Sequence, residues 1–163
     1  MEKLQILNKI KEYNTIIIHK HMRPDGDCYG AAFGLKEIIK ETWPNKEVYV
    51  VGETAEYVKF VGDVDEISDE KFKGALSIVI DTASADRVAD QRFTLSDYVI
   101  KIDHHIPVQD YGDYQYVDTS KPAASQMILE FYLEYKDELK FNMTAAEALY
   151  TGIVTDTGRF KYR

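Results

Sequence analysis

Cysteine is nearly absent from this sequence. Cys28 is the only one in 163 residues, so an internal disulfide and a zinc site built from several thiolates are both excluded. A single thiol also fits a reducing compartment. Cys28 itself is predicted to be a small apolar residue near the start of a helix.

Long apolar stretches and an excess of basic residues are absent as well. No run approaches the roughly 18 residues of a membrane span, and the first residues lack the pattern of a secretory signal. These features predict a cytoplasmic protein with no membrane partner. The 20 basic residues are outnumbered by 28 acidic ones, and the formal net charge of −8 argues against general binding to duplex DNA. Clustered carboxylates attract divalent cations instead.

Apolar residues make up 45% of the chain, and they recur in short runs that predict one α/β domain. Four runs predict strands near residues 16–18, 48–51, 76–80 and 99–102. Helical spacing of apolar residues occurs at residues 4–10, 29–39 and 123–135, and Thr144 to Glu147 resembles a capping box that opens a last helix. This alternation predicts a mainly parallel β-sheet flanked by helices.

Polar residues follow three of the predicted strands, at the edge where α/β proteins keep their functional sites. They are His21, Asp25 and Asp27 after the first strand, Asp81 after the third, and Asp103, His104 and His105 after the fourth. Carboxylates and imidazoles together suit manganese, magnesium or iron. Taken singly, the aspartates could instead cap the helices that follow them. His104 and His105 are neighbours, so on an extended chain their side chains would point in opposite directions.

A further carboxylate, Asp156, occurs in the segment GIVTDTGR near the end of the chain. A helix C-terminal turn that Gly158 stabilises is the simpler interpretation of this segment. An anion is unfavourable at a helix C-terminus, however, and a bound cation would account for it.

Together these residues resemble the four motifs of the DHH phosphoesterase superfamily. The resemblance rests on His21-x-x-x-Asp25-x-Asp27, Asp81, Asp103-His104-His105 and Asp156, in this order. Within the superfamily the chain most resembles the NrnA-type oligoribonucleases, which degrade very short RNAs and dephosphorylate 3′-phosphoadenosine 5′-phosphate. The resemblance spans His21 to Arg159, nearly the whole chain.

The resemblance implies a centre of two divalent metal ions, with Mn²⁺ expected and Mg²⁺ or Co²⁺ as alternatives. One ion would be held by His21, Asp25 and Asp81, and the other by Asp27, Asp81, His104 and Asp156, so that Asp81 bridges them. Asp103 would lie outside the ligands, where a carboxylate can accept the free ring N–H of a ligating histidine and fix its orientation.

The resemblance also implies roles in substrate binding and catalysis. His105 would contact the scissile phosphate and protonate or orient the leaving oxygen. Ser125 could donate a hydrogen bond to phosphate at a helix N-terminus, although a plain N-terminal turn explains it almost as well. Arg159 could bind a phosphate charge, but a solvated terminal arginine is the preferred interpretation.

The expected reaction is two-metal hydrolysis of short RNA oligonucleotides or nucleotide bisphosphates. The alternatives are a family II inorganic pyrophosphatase, a cyclic-dinucleotide phosphodiesterase and a metal-binding module without catalysis. No Gly-Gly-Gly-His motif occurs, so residues 1–163 are interpreted as a catalytic domain without the C-terminal substrate-binding (DHHA1-type) domain of such enzymes. A face that this second domain would cover could support homo-oligomers.

Overall fold

A computed structural model describes residues 2–156 of the chain. Its α-helices are α1 (Glu2–Glu12), α2 (Gly26–Thr42), α3 (Ala124–Glu134) and α4 (Met143–Asp156). Its strands are β1 (Thr15–His19), β2 (Glu47–Val50), β3 (Leu76–Ile80), β4 (Tyr98–Asp103) and β5 (Tyr114–Val117). Four 3₁₀ helices occupy Glu56–Val61, Asp69–Phe72, Ala85–Arg87 and Gln91–Leu95. None of the described helices is both long and apolar enough to span a bilayer.

The strands form one sheet in the order β2-β1-β3-β4-β5, and every neighbouring pair is parallel. The chain builds outward from β1 to β2 and then returns to place β3 on the other side of β1. The strand order therefore reverses between β1 and β3. In open parallel sheets, ligands bind at such a reversal, outside the carboxyl ends of the strands.

The two faces of the sheet are covered differently. Alternate strand residues such as Ile18, Ile78 and Ile100 join the α-helices in the largest core cluster. The residues that point the other way belong to two smaller clusters, in which Phe72 and Phe93 of the 3₁₀ helices take part. Because both faces are covered, the inner strands are almost continuously apolar, as the sequence runs predicted.

Close packing of α2 against α4 depends on glycine. A Cβ atom at Gly30 would lie 2.4 Å from the carbonyl oxygen of Ala148 and 2.8 Å from the backbone nitrogen of Gly152. A Cβ at Gly34 would lie 2.3 Å from Leu149 Cδ2. The first contact is with backbone and the second with a side chain that can rotate, so Gly30 has the stricter requirement.

The sequence prediction of a parallel α/β fold is confirmed, with differences in detail. The edge strand Tyr114–Val117 was not predicted. The last helix begins at Met143, and Asn142 caps it by accepting a 2.7 Å hydrogen bond from Ala145 N. The expected capping box at Thr144 is therefore wrong, because Thr144 already lies inside the helix.

Candidate metal centre and cleft

The predicted strand-end residues meet at the carboxyl edge of the sheet, next to the reversal of strand order. His21 follows β1, Asp81 follows β3 directly, and Asp103 ends β4. The parallel register of these three strands brings their ends together. Since adjacent strands lie about 4.8 Å apart, side chains from all three ends can reach one point.

Asp81 lies at the centre of this group. Its side chain is 2% exposed, and its φ angle of 60° lies in the left-handed region. Oδ1 is 3.1 Å from His104 Nε2 and 3.6 Å from His105 Nδ1, whereas Oδ2 is 3.8 Å from His21 Nε2. The two carboxylate oxygens therefore face different histidines, which is the arrangement that a carboxylate bridging two cations needs.

His21 and Asp25 form one side of the centre. His21 Nε2 is 3.6 Å from Asp25 Oδ2, and its Nδ1 donates a 2.7 Å hydrogen bond to the Met22 carbonyl oxygen. Asp25 also caps α2 by accepting a hydrogen bond from Cys28 N. The cap thus uses one carboxylate oxygen of Asp25, and the other faces His21.

His104 and Asp27 form the other side. His104 Nδ1 donates to the Lys121 carbonyl oxygen at 3.1 Å, and its Nε2 lies 3.6 Å from Asp27 Oδ2. His21 and His104 thus share one arrangement, with Nδ1 on a backbone carbonyl and Nε2 towards carboxylates. Metal-ligating histidines commonly use the second ring nitrogen in this way.

Asp27 is also the link between α2 and the start of α3. Its two oxygens accept hydrogen bonds from the backbone nitrogens of Ala124 and Ser125, at 2.7 and 2.8 Å. The Ser125 hydroxyl donates to the Asp27 carbonyl oxygen, and the Ser125 side chain is fully buried. The hydroxyl expected to donate to phosphate therefore has a different partner, because α3 packs its first turn onto α2.

Asp103 pairs with His105 and not with His104. His105 Nδ1 donates a 2.7 Å hydrogen bond to Asp103 Oδ1, and Asp103 is fully buried. The expectation that the two histidines point in opposite directions is wrong, since their ring centroids are only 4.4 Å apart. Strand β4 ends at Asp103, so His104 and His105 do not continue its alternation.

The electrostatics of the group favour a bound cation. Burial, together with the charges of Asp27 and Asp25, raises the pKa of Asp81 to about 7 against the opposing effect of His104. Burial disfavours the charged form of His104, but Asp81 and Asp27 still raise its pKa to about 9. Burial likewise opposes the charge of His21, and Asp25 nevertheless raises its pKa to about 8. The buried carboxylates thus favour positive charge at this position.

The donor atoms fit divalent metals. Ligand atoms of Asp81, His104 and His105 lie within 4.8 Å of one another, and a second such group is formed by His21, Asp25, Cys28 and Asp81. Asp81 belongs to both groups. Burial raises the pKa of the Cys28 thiol well above its usual value, so the neutral sulfur is a weak ligand and the set is one of oxygen and imidazole.

A cleft of about 530 Å³ opens over this group. Its described lining consists of His21, Asp25, Asp81, Thr82, Ala83, Ser84, Asp86, Arg87, His105 and Val108. The volume is within the range of small-molecule sites. The metal-binding candidates occupy one part of the wall, and the segment that follows β3 forms another.

Lys101 connects, through hydrogen bonds, the two loops that carry the cleft residues. This fully buried lysine of β4 donates to the carbonyl oxygens of Ala83 and Gln109, at 3.2 and 2.9 Å. Tyr111 adds a 2.6 Å hydrogen bond from its hydroxyl to the Thr82 carbonyl oxygen. The loop after β3, which carries Asp81, is thereby fixed to the loop after β4, which carries His105.

Six of the predicted residues are brought together, and two functional candidates were missed. The six that form one group of contacts are His21, Asp25, Asp27, Asp81, His104 and His105. The side chain of Asp156 and the whole of Arg159 lie outside the described residues. Lys101 and Arg87 were missed, although a lysine inside an apolar strand run is itself a signal of a buried polar role.

Comparison with known proteins finds a matching family model and several relatives. The family model described as DHH family, N-terminal domain, matches residues 15–153. A Bacillus subtilis protein named bifunctional oligoribonuclease and PAP phosphatase NrnA is 46% identical over 161 residues, covering 98% of this chain and 51% of that protein. A Streptococcus mutans relative, given the same name as a probable assignment, is 47% identical over 157 residues, covering 96% of this chain and 50% of its own.

A solved structure supports the fold. An exopolyphosphatase-related protein from Bacteroides fragilis aligns with a TM-score of 0.87 and 22% identity, covering 99% of this chain and 51% of that one. This chain therefore spans about half the length of the relatives that it matches.

Proposed function

The chain belongs to the DHH family, and from that premise we propose that it hydrolyses phosphoester bonds in short oligoribonucleotides and in 3′-phosphoadenosine 5′-phosphate. Relatives named for these two activities support the proposal. The observation that carries it is the position of Asp81, whose two oxygens face His21 on one side and His104 on the other. A carboxylate in this position would be able to bridge the two ions of a two-metal phosphoesterase site.

The proposed ligands follow from this geometry and from the family resemblance. His21, Asp25 and Asp81 would hold one Mn²⁺, and Asp27, Asp81, His104 and Asp156 would hold the second. Two such ions lower the pKa of a water nucleophile and neutralise the charge that develops on phosphate. The Nδ1 hydrogen bonds of His21 and His104 keep each Nε2 directed towards the carboxylates.

The pair Asp103 and His105 is proposed to supply a proton. Asp103 accepts the Nδ1 hydrogen of His105, so it fixes the ring and leaves Nε2 for the substrate. His105 lines the cleft. When the phosphorus–oxygen bond breaks, the leaving oxygen would take its proton from His105 Nε2, and water would supply the new oxygen on phosphorus.

The test is Mn²⁺-dependent release of mononucleotides from a 5′-phosphorylated RNA dinucleotide, and of phosphate from 3′-phosphoadenosine 5′-phosphate. The Asp81→Asn variant is the matched control, because it removes one charge without changing the size of the side chain. We expect both activities in the wild type and neither in the variant. Pyrophosphate and a cyclic dinucleotide belong in the same panel, and hydrolysis of either one alone would overturn the proposal.

A further inference from the structure

The described lining of the cleft contains one permanently charged cationic side chain. Of the described residues that line it, only Arg87 carries a guanidinium or ammonium group. The same lining includes the carboxylates of Asp25, Asp81 and Asp86. A polyanionic substrate would meet repulsion at this wall, except at the metal centre and at Arg87.

The backbone of Arg87 is held beside the segment that carries His21. Arg87 ends a 3₁₀ helix, and its carbonyl oxygen accepts a 2.8 Å hydrogen bond from Met22 N. The next residue, Val88, forms an antiparallel bridge with His21. The base of the arginine side chain is therefore fixed with respect to one of the proposed metal ligands.

The guanidinium group of Arg87 is available for a ligand. It makes no side-chain hydrogen bond or ion pair with the rest of the described chain, and the residue is exposed. Its neighbour Asp86 is engaged elsewhere, because Ser84 Oγ donates to Asp86 Oδ1 at 2.6 Å. Arg92 provides the contrast, since its guanidinium pairs with Asp90 at 2.8 Å and with Asp69 at 3.0 Å.

We propose that Arg87 binds a second phosphate group of the substrate, while the scissile phosphate lies at the metal centre. This inference rests on the proposed function and deepens it, because it names the residue that selects substrates with two phosphates. The planar guanidinium of arginine matches phosphate with two parallel hydrogen bonds. A nucleotide bisphosphate or a 5′-phosphorylated dinucleotide carries such a second group, and the corresponding monophosphate or unphosphorylated dinucleotide does not.

The test compares two substrates that share the same scissile phosphate, 3′-phosphoadenosine 5′-phosphate and adenosine 3′-phosphate. For Arg87→Gln we expect KM for the bisphosphate to rise about 10- to 100-fold, as for a lost hydrogen bond to a charged group. The kcat for both substrates and KM for the monophosphate should remain as in the wild type. Arg87→Lys should restore part of the affinity, because lysine keeps the charge without the planar fork.

The control is Lys73→Gln, which removes the same charge at the opposite edge of the sheet. Lys73 lies before β3, its side chain is 72% exposed, and it forms an ion pair with Glu70. The KM of the Lys73→Gln variant for the bisphosphate should stay at the wild-type value at constant ionic strength. An equal rise of KM in both variants, or an equal rise for both substrates in Arg87→Gln, would overturn the role of Arg87.

Failure of the proposed function would be distinguishable from failure of this inference. If the wild type hydrolyses neither of these substrates nor the 5′-phosphorylated RNA dinucleotide, the proposed function fails. Calorimetric binding of the bisphosphate to wild type and Arg87→Gln still decides the role of Arg87. Equal affinity of the two proteins for the bisphosphate would refute it. Weaker binding by Arg87→Gln alone would support it.

Discussion

Replacing Asp27 by Asn separates two roles that this carboxylate combines. Asp27 is a proposed metal ligand, and it also accepts backbone hydrogen bonds from Ala124 and Ser125 at the start of α3. Asp25→Asn is the matched change on the other side of the centre, where the side chain caps α2. We predict that both variants lose metal affinity and that only Asp27→Asn loses stability without metal.

The expected magnitude follows from the contacts of the Asp27 side chain. The side-chain oxygen of Asn can still accept one of the two backbone hydrogen bonds. Its NH₂ group is a donor and cannot accept the other, so one hydrogen bond is lost. A hydrogen bond to a charged group contributes about 1.5–3 kcal/mol. Burial raises the pKa of Asp27, which means that burying its charge is unfavourable. Removing the charge therefore offsets part of the stability lost with the hydrogen bond, and the free energy of unfolding should fall by about 1–3 kcal/mol.

The Asp25 variant should be nearly neutral for stability. Asp25 is 51% exposed, and Asn caps a helix about as well as Asp, so the unfolding free energy should change by less than about 0.5 kcal/mol. Urea unfolding in the presence of a chelator measures the free energy of unfolding without metal. Calorimetric titration with Mn²⁺ measures metal affinity. Wild-type stability of Asp27→Asn in chelator would refute the proposed link between α2 and α3.

Three further predictions concern packing, the cleft and the metal. Gly30→Ala should lower the unfolding free energy by about 1–2 kcal/mol, since overpacking against backbone outweighs a helix-propensity gain of about 1 kcal/mol. Gly34→Ala should lower the unfolding free energy less, because the Leu149 side chain can rotate away. The reverse order of the two variants in urea unfolding would contradict the packing argument. Lys101→Met should lower kcat about 10- to 100-fold through misplaced cleft loops; wild-type kcat would show that its hydrogen bonds do not position them. Chelation should lower Tm because metal binds only the folded state; a Tm that does not respond to added Mn²⁺ would count against the metal centre.

The inner strands could be predicted from the sequence because their burial on both faces leaves continuous apolar runs. The strand Tyr114–Val117 could not, since it lies at the sheet edge and only one of its four residues is buried. Its pairing with β4 depends on contacts between distant parts of the chain. The start of α4 was misplaced for a similar reason, because both Asn142 and Thr144 are suitable caps and packing of the helix chooses between them.

The site could be predicted as a set of residue types, and its pairings could not. Metal-binding side chains recur at strand ends, so the sequence alone suggests His21, Asp81 and His104. The partner of Asp103 depends on where β4 ends and how the chain turns, which no local pattern encodes. Arg87 becomes a candidate only when the backbone contact with Met22 brings it beside the centre.

The central role of Asp81 follows from the position of β3 in the sheet. β3 lies between β1 and β4, so a carboxylate at its end has neighbours from both sides, which a residue at the end of the edge strand β2 or β5 would lack. The φ angle of 60° at Asp81 turns the chain directly after the strand, a conformation that Asp and Asn tolerate better than most residues. Asp81→Asn therefore removes the charge without adding backbone strain, whereas Asp81→Ala would change both. Loss of metal binding in the Asn variant can accordingly be assigned to the Asp81 carboxylate itself.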